Sequence, residues 1–345
     1  MKHLRISRLS ARTFAVVVTA ILSACGDAVA PTYSDSASGD VSGSDARKPS
    51  ASPISNPLLG SSLWVPSWSR ARITADQWRS TRPSDAALMD KLAEQAQAQW
   101  FGNWNADVRS DVSAVVSSAI GAGAVPVLVA YNIPLRDCGS FSSGGAASAD
   151  AYRSWINAYA DGLAGRKAIV VLEPDALAGM GCLSAGDQAT RVSLLRYAVE
   201  RLRDAGGLVY LDAGNNRWQS VSTIASRLKN AGIELATGFA LNVSNFFSTA
   251  EETSYGDAIS AAVGGKHYVL DTSRNGLGAT ADAQWCNPEG RAVGSRPTSF
   301  TGRPLVDAYL WVKVPGESDG SCNGYPSSGT WLPEYALGLA QRASW

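Results

Sequence analysis

The sequence predicts an α/β fold, a parallel β/α barrel, from three observations. Short apolar runs alternate with segments of helical periodicity from about Asn56 to the C-terminus. The alternation repeats seven or eight times, which favours a closed barrel over an open doubly wound sheet, the alternative. Each run ends in polar or charged residues, and in a parallel barrel all those ends open onto one face.

In chain order, the first segment is an export signal. Lys2, Arg5, Arg8 and Arg12 make a basic start, and Phe14–Leu22 is an apolar run too short to span a bilayer. It ends in "LSAC", which resembles a lipobox, so residues 1–25 are expected to form a lipoprotein signal ending at a lipidated Cys25. The alternative, cleavage after the small residues at 28–30, leaves Pro31 next to the cut. Residues 26–56 are rich in Ser, Asp, Gly and Pro and read as a disordered tether. Its coil spans roughly 30 Å and at most ~100 Å when straight.

A single domain over 57–345 follows. Its candidate strands are Leu63–Val65, Gln99–Phe101, Val125–Tyr131, Ala168–Leu172, Leu208–Leu211, Gly238–Asn242, Tyr268–Leu270 and Ala308–Val312. Between them, Tyr152, Trp155, Ile156, Tyr159 and Leu163 fall at helical spacing after a candidate N-cap, Ser148. Leu194, Leu195, Ala198, Val199 and Leu202 repeat that pattern, and Gly206–Gly207 stop it.

The polar strand ends narrow the chemistry. They carry Arg136 and Asp137, Glu173 and Asp175, Asp212, Asn242 and Asn245, Asp271 and Arg274, and Lys313, Glu317 and Asp319. Acids after strands can also be helix caps and turn formers, which accounts for one or two of them but not the set. Net charge is zero, and removing residues 1–25 leaves 26 Lys and Arg against 30 Asp and Glu, so no nucleic-acid surface is advertised. Beyond residue 25 the only histidine is His267, at a strand's start and so at the wrong end of a barrel for Ser-His or Cys-His chemistry. One histidine is too few for a histidine metal centre, and no phosphate-binding loop or dinucleotide fingerprint follows a strand. Carboxylates converging without metal or cofactor suit glycosidic bond hydrolysis, one protonating the leaving oxygen and another assisting the nucleophile.

Tryptophans point the same way. Of eleven, Trp104, Trp218 and Trp285 lie in loops near strand ends, where an indole can stack on the C–H face of a pyranose. Trp155 and Trp311 read as core. Without Cys25, Cys138, Cys182, Cys286 and Cys322 remain, none spaced as C-x-x-C; an exported chain more often pairs such cysteines as disulfides, with three connectivities open.

The motifs "YNIPLRDC" (131–138), "SSGGAAS" (142–148), "LEPDAL" (172–177), "YLDAGNNRW" (210–218), "LNVSN" (241–245), "LDTSRNG" (270–276), "WCNPEGRAVG" (285–294) and "WVKVPGESDG" (311–320) together resemble glycoside hydrolase family 6, the inverting β-1,4-glucanases and cellobiohydrolases. The resemblance covers roughly 57–345 and implies a distorted, incomplete barrel of about seven strands. It implies Asp175 as general acid, Asp137 raising the acid's pKa and helping hold the water, and Asp319 as candidate base. Glu173 would support the loop, Asp212 would tune the acid and the substrate, and Tyr131 would press on the sugar at the cleavage point. Ser143, Asn242, Asn245, Lys313 and Glu317 would bind sugar hydroxyls, while Trp104, Trp218 and Trp285 would stack sugars. The implied disulfides are Cys138–Cys182 and Cys286–Cys322. Two positions depart from the family: Asn215 stands where many members have His, and Val314 where many have Pro.

The function expected is endo-acting β-1,4-glucan hydrolysis by a monomer that needs no cofactor or metal and touches a membrane only through its lipid. The loops between the paired cysteines look too short to roof the cleft, so an open groove is expected, and no cellulose-binding module is visible. The alternatives are an exo-acting cellobiohydrolase and a non-catalytic glucan-binding lipoprotein.

Overall fold

A computed structural model describes residues 55–345, so the signal with Cys25 and nearly all of the tether lie outside the described residues. The elements in order are α1 (Arg70–Trp78), α2 (Pro83–Ala93), β1 (Gln99–Phe101), α3 (Val108–Gly121), β2 (Val127–Ala130), α4 (Ala149–Leu163), β3 (Ala168–Leu172), α5 (Ala185–Asp204), β4 (Gly207–Asp212), α6 (Val221–Asn230), β5 (Gly238–Leu241), α7 (Thr249–Ala262), β6 (His267–Asp271), β7 (Val306–Leu310) and α8 (Pro333–Gln341). The seven strands are all parallel and pair in sequence order.

Both faces of the sheet are buried, which explains why β3 is apolar at every position. Ile169 and Val171 point inward with Val127, Val129, Tyr210, Ala240, Val269 and Leu310. Ala168, Val170 and Leu172 point outward to the helices, meeting Ile156 of α4 and Leu195 of α5. Each fully buried Val, Ile or Leu contributes about 1.5–3 kcal/mol. The expected helix signals operate: the Ser148 hydroxyl accepts the Ala151 N–H at 3.1 Å, and Gly206 stops α5 with a left-handed backbone at φ 94°.

Two expectations need correction. Periodicity favoured a closed barrel, but no ladder joins β1 to β7 among the described residues; the two edges share one backbone bond, from Ala98 N–H to the Trp311 carbonyl at 3.0 Å. The incomplete barrel implied by the family resemblance is the better description. Secondly, Leu63–Val65 is not a strand of the sheet. Only Leu63 pairs, in a single bridge to Val125, and Pro66, which has no N–H, follows at once.

The strand expected at Ala308–Val312 lies two residues earlier, because the Val312 N–H turns to the Asp271 carboxylate at 3.2 Å. Asn56, the last residue of the expected tether, already docks on the domain through the Asp307 carbonyl at 2.9 Å. His267 sits at the start of β6 and bonds Asp307, which also accepts the Tyr210 hydroxyl, at the end of the strands away from the acids.

Candidate active site

At the C-terminal ends of the strands lies a cleft of about 1100 Å³, larger than most single small-molecule pockets (~300–1,000 Å³) and suited to an oligosaccharide. Asp137, Asp175, Asp319, Tyr131, Trp104, Trp218, Trp285, Asn245, Lys313, Glu317 and Ser143 all line it. Asp212 and Asn242 do not. Asn242 is fully buried, and its amide is occupied: Nδ2 donates to the Phe247 and Asp271 carbonyls at 3.0 Å each, and Oδ1 accepts the Phe247 N–H. It holds the loop after β5 and is not placed to bind sugar.

The acids at the strand ends divide by what they touch. Glu173, Asp212 and Asp271 bind backbone. Glu173 takes the N–H groups of Asn132 and Ile133 at 2.9–3.0 Å, tying β3 to the loop after β2. The Asp271 carboxylate gathers the N–H groups of Ser244, Ser273, Val312 and Lys313, locking three strand ends together. Asp212 Oδ2 accepts the N–H of Asp175 at 2.9 Å and of Gly214 at 3.1 Å, so it positions Asp175 from behind. Asp137, Asp175, Glu317 and Asp319 face the cleft instead.

Backbone conformation is strained where these acids sit. Among the described residues, all non-glycine positions with a left-handed backbone except Ala164 lie in loops after strands, among them Asp137, Glu173, Asp175 and Asn242. Each costs about 1–3 kcal/mol, so packing and hydrogen bonds must enforce it. Two glycines make room for the tryptophans. A Cβ on Gly102 would strike the Trp104 ring, and one on Gly214 (φ 74°) would meet Ala178 at 2.7 Å and the Trp218 ring at 3.3 Å.

Environment sets the acids' ionisation. Burial, then the charges of Asp212 and Asp137, pushes Asp175 well above the usual carboxylate range, which favours its protonated form. Burial likewise raises Asp212, and takes Glu173 up to about 7 and Glu252, behind Asn216, up to about 8. Asp319 goes the other way. Burial works against its charge but is outweighed by Arg274 at 2.8 Å, Lys313 at 3.6 Å and the Asn287 N–H at 2.9 Å, so its pKa lies below the usual value. Burial also keeps the Tyr131 phenol neutral. Arg136 lies over the Tyr131 ring, 4.4 Å from its centroid, and donates to the Tyr131 carbonyl at 2.7 Å.

Both implied disulfides are present. Cys138–Cys182 joins the loop of Asp137 to the segment after Asp175, and Cys286–Cys322 pins the loop of Asp319. The expected open groove needs correction at its rim. The loop after β2 meets the loop after β7, with the Ser142 and Ser328 hydroxyls 3.1 Å apart, and the Phe141 and Trp285 rings lie 5.8 Å apart. Short loops therefore still reach each other. Arg274, fully buried against Asp319, and Trp68, on the cleft wall, were not among the expected site residues. Asn215 lines the cleft and accepts the Arg217 N–H at 3.1 Å.

This architecture and carboxylate arrangement define a glycoside hydrolase of the incomplete-barrel type. The family model described as Glycosyl hydrolases family 6 matches residues 59–343, and the chain belongs to that family. It is 47% identical over 271 residues to Endoglucanase A of Cellulomonas fimi, covering 78% of this chain and 59% of that protein. It is 42% identical over 276 residues to Endoglucanase 1 of Streptomyces halstedii, covering 76% and 84%. Among solved structures, the endoglucanase Cel6 of Mycobacterium tuberculosis, in complex with methyl-cellobiosyl-4-deoxy-4-thio-β-D-cellobioside, superposes with a TM-score of 0.79 at 45% identity, covering 83% of this chain and 99% of that one.

Proposed function

We propose that this protein hydrolyses internal β-1,4-glucosidic bonds of cellulose or a related glucan with inversion at the anomeric carbon. The observation that carries this reading is a cleft in which Asp175, held against the Asp212 carboxylate, faces Asp319, bonded to Arg274, between exposed tryptophans. Asp175 gives its proton to the glycosidic oxygen as the C–O bond breaks. Water adds to the anomeric carbon from the opposite face and loses its proton to the Asp319 carboxylate, with Asp137 helping to hold the water. Tyr131 packs on the reacting sugar, Lys313, Glu317, Asn245 and Ser143 take hydroxyls, and Trp104, Trp218 and Trp285 stack on flanking sugars. The charge on Asp319 also stabilises the cationic sugar at the transition state.

Proton NMR of cellopentaose hydrolysis tests the stereochemistry: α product first supports inversion, and β product first refutes it. No product at all supports a binding protein instead. The rim contact between Ser142 and Ser328 favours a second reading, exo action by a roofed cleft. Carboxymethylcellulose separates the two. Endo action collapses its viscosity while few reducing ends appear; slow thinning with cellobiose as the main early product means exo action.

Export with a lipid on Cys25, and action as a monomer, belong to the same reading. Support comes from the basic start, the short apolar run and "LSAC". Cys25→Ser should abolish acylation; wild-type protein starting downstream of Cys25 and free in the medium would count against the anchor.

A further inference from the structure

Among the described residues, four tryptophans are more than a third exposed: Trp68 at 62%, Trp104 at 54%, Trp285 at 46% and Trp218 at 41%. All four line the cleft. Three have the sugar-stacking role given above; Trp68 has none. It precedes Ser69, the N-cap of α1, whose hydroxyl accepts the Arg72 N–H at 3.1 Å. An apolar residue just before an N-cap commonly packs on the fourth helical residue, here Ile73, and both then become buried. Here Ile73 is 46% exposed and Trp68 more so, so a staple does not explain the indole.

Its place in the fold offers an explanation. Because β1 and β7 share only the Ala98–Trp311 backbone bond, the wall of the cleft is interrupted there by a seam. Pro66, Trp68 and Arg70 line the cleft together with the seam residues Gln97, Gln99 and Trp100. Trp100 is built into the wall: its indole N–H donates to the Val312 carbonyl at 2.8 Å, and its ring meets Tyr131 edge-on at 5.2 Å. Tyr131, Trp100 and the exposed Trp68 thus all belong to the lining of one cleft. The guanidinium of Arg70 makes no hydrogen bond or ion pair among the described residues, which leaves its donors free for hydroxyls.

We propose that Trp68, with Arg70 beside it, is an outer glucose platform that carries a bound glucan chain out of the cleft over the seam between β1 and β7. The inference rests on the glucan reading above and extends it. The platform binds glucose units beyond those next to the cleaved bond, so it sets preference for long chains and leaves the chemistry alone. A flat indole face takes the sugar's C–H surface while the neighbouring cation takes its hydroxyls.

The test compares full-length wild type, Trp68→Ala and Trp68→Phe on cellohexaose and on 2,4-dinitrophenyl β-cellobioside, which has only two glucose units. Trp68→Ala should lower kcat/KM on cellohexaose by about 5- to 30-fold, the effect of one stacking contact. It should leave the dinitrophenyl substrate within about twofold, as expected for a surface residue outside the reacting site. Trp68→Phe should recover much of the cellohexaose loss. Equal losses on both substrates, or no loss on cellohexaose, overturn the platform. A wild type that cleaves neither substrate overturns the glucan reading instead, and the platform with it.

Discussion

On the β3 side of the cleft, Asp175 stands against Asp212 and Asp137, and no cation is in contact with it among the described residues. On the β7 side, Asp319 is the more deeply buried of the two, bonds Arg274 and lies 3.6 Å from Lys313. One residue type thus reaches opposite states in one cleft. Burial beside other acids shifts a carboxyl's pKa up, whereas burial beside cations brings it down. Burial alone does not decide the outcome, since it opposes the charge of both; the sign of the neighbouring charge does. An inverting hydrolase needs this split, with a donor on one flank and an anion on the other.

The largest effect should come from removing the proton on the β3 flank. Asp175→Asn should lower turnover of unactivated cello-oligosaccharides by roughly 10²–10⁴-fold. Hydrolysis of 2,4-dinitrophenyl β-cellobioside, whose leaving group needs little protonation, should fall far less. Equal losses on the two would assign the acid's role elsewhere and dissolve the contrast.

Each flank is also pinned by a disulfide, over sequence separations of 44 and 36. Replacing either pair by alanines should cost about 3–4 kcal/mol, read as the fall in denaturation midpoint at constant m. Intact-mass measurement of four free thiols in wild type produced under oxidising conditions would rule the cross-links out.

A further effect distinguishes the flanks by pH. Burial raises Glu252 to about 8 and Glu173 to about 7, so each folded-state pKa lies above its unfolded value. The stability these groups contribute is full below about pH 4.3 and is lost as pH rises through 7 to 8. Glu252→Gln should gain on wild type by up to ~1.4 kcal/mol per pH unit across that window. Urea titrations at pH 5 and 8 that show a constant gap would contradict the assigned direction.

Asp319 has the opposite sign. Its lowered pKa contributes stability above its unfolded value that is lost as pH falls through the folded one. Lys313→Met, which removes the second of its two cations, should therefore move the acid limb of the kcat/KM profile to higher pH. An unmoved limb would mean that Arg274 alone keeps Asp319 ionised.

The legible part of this site was set by position along the chain. Asp137, Asp175 and Asp319 directly follow or lie near apolar strands, so alternation and parallel topology brought them to one face. Asn242 follows a strand as well, but its amide turns into the loop, because periodicity gives the end at which a residue emerges and not which way its side chain points. The Trp64–Val65 segment reads like a strand until Pro66 removes a donor. Trp68 follows that segment with no acid or amide beside it to mark a site, yet it lines the cleft.

Local pattern by itself determined the strand–helix alternation, the shared face of the acids, the absence of histidine chemistry and the caps of α4 and α5, since each depends on residues a few positions apart. The open seam, the contact of Ser142 with Ser328, the division of acids into loop anchors and cleft groups, and the opposite pKa shifts of Asp175 and Asp319 were decided by tertiary structure. They depend on burial and on neighbours remote in sequence, 186 residues apart in the case of Ser142 and Ser328. The energy of a charge is set by what surrounds it in space.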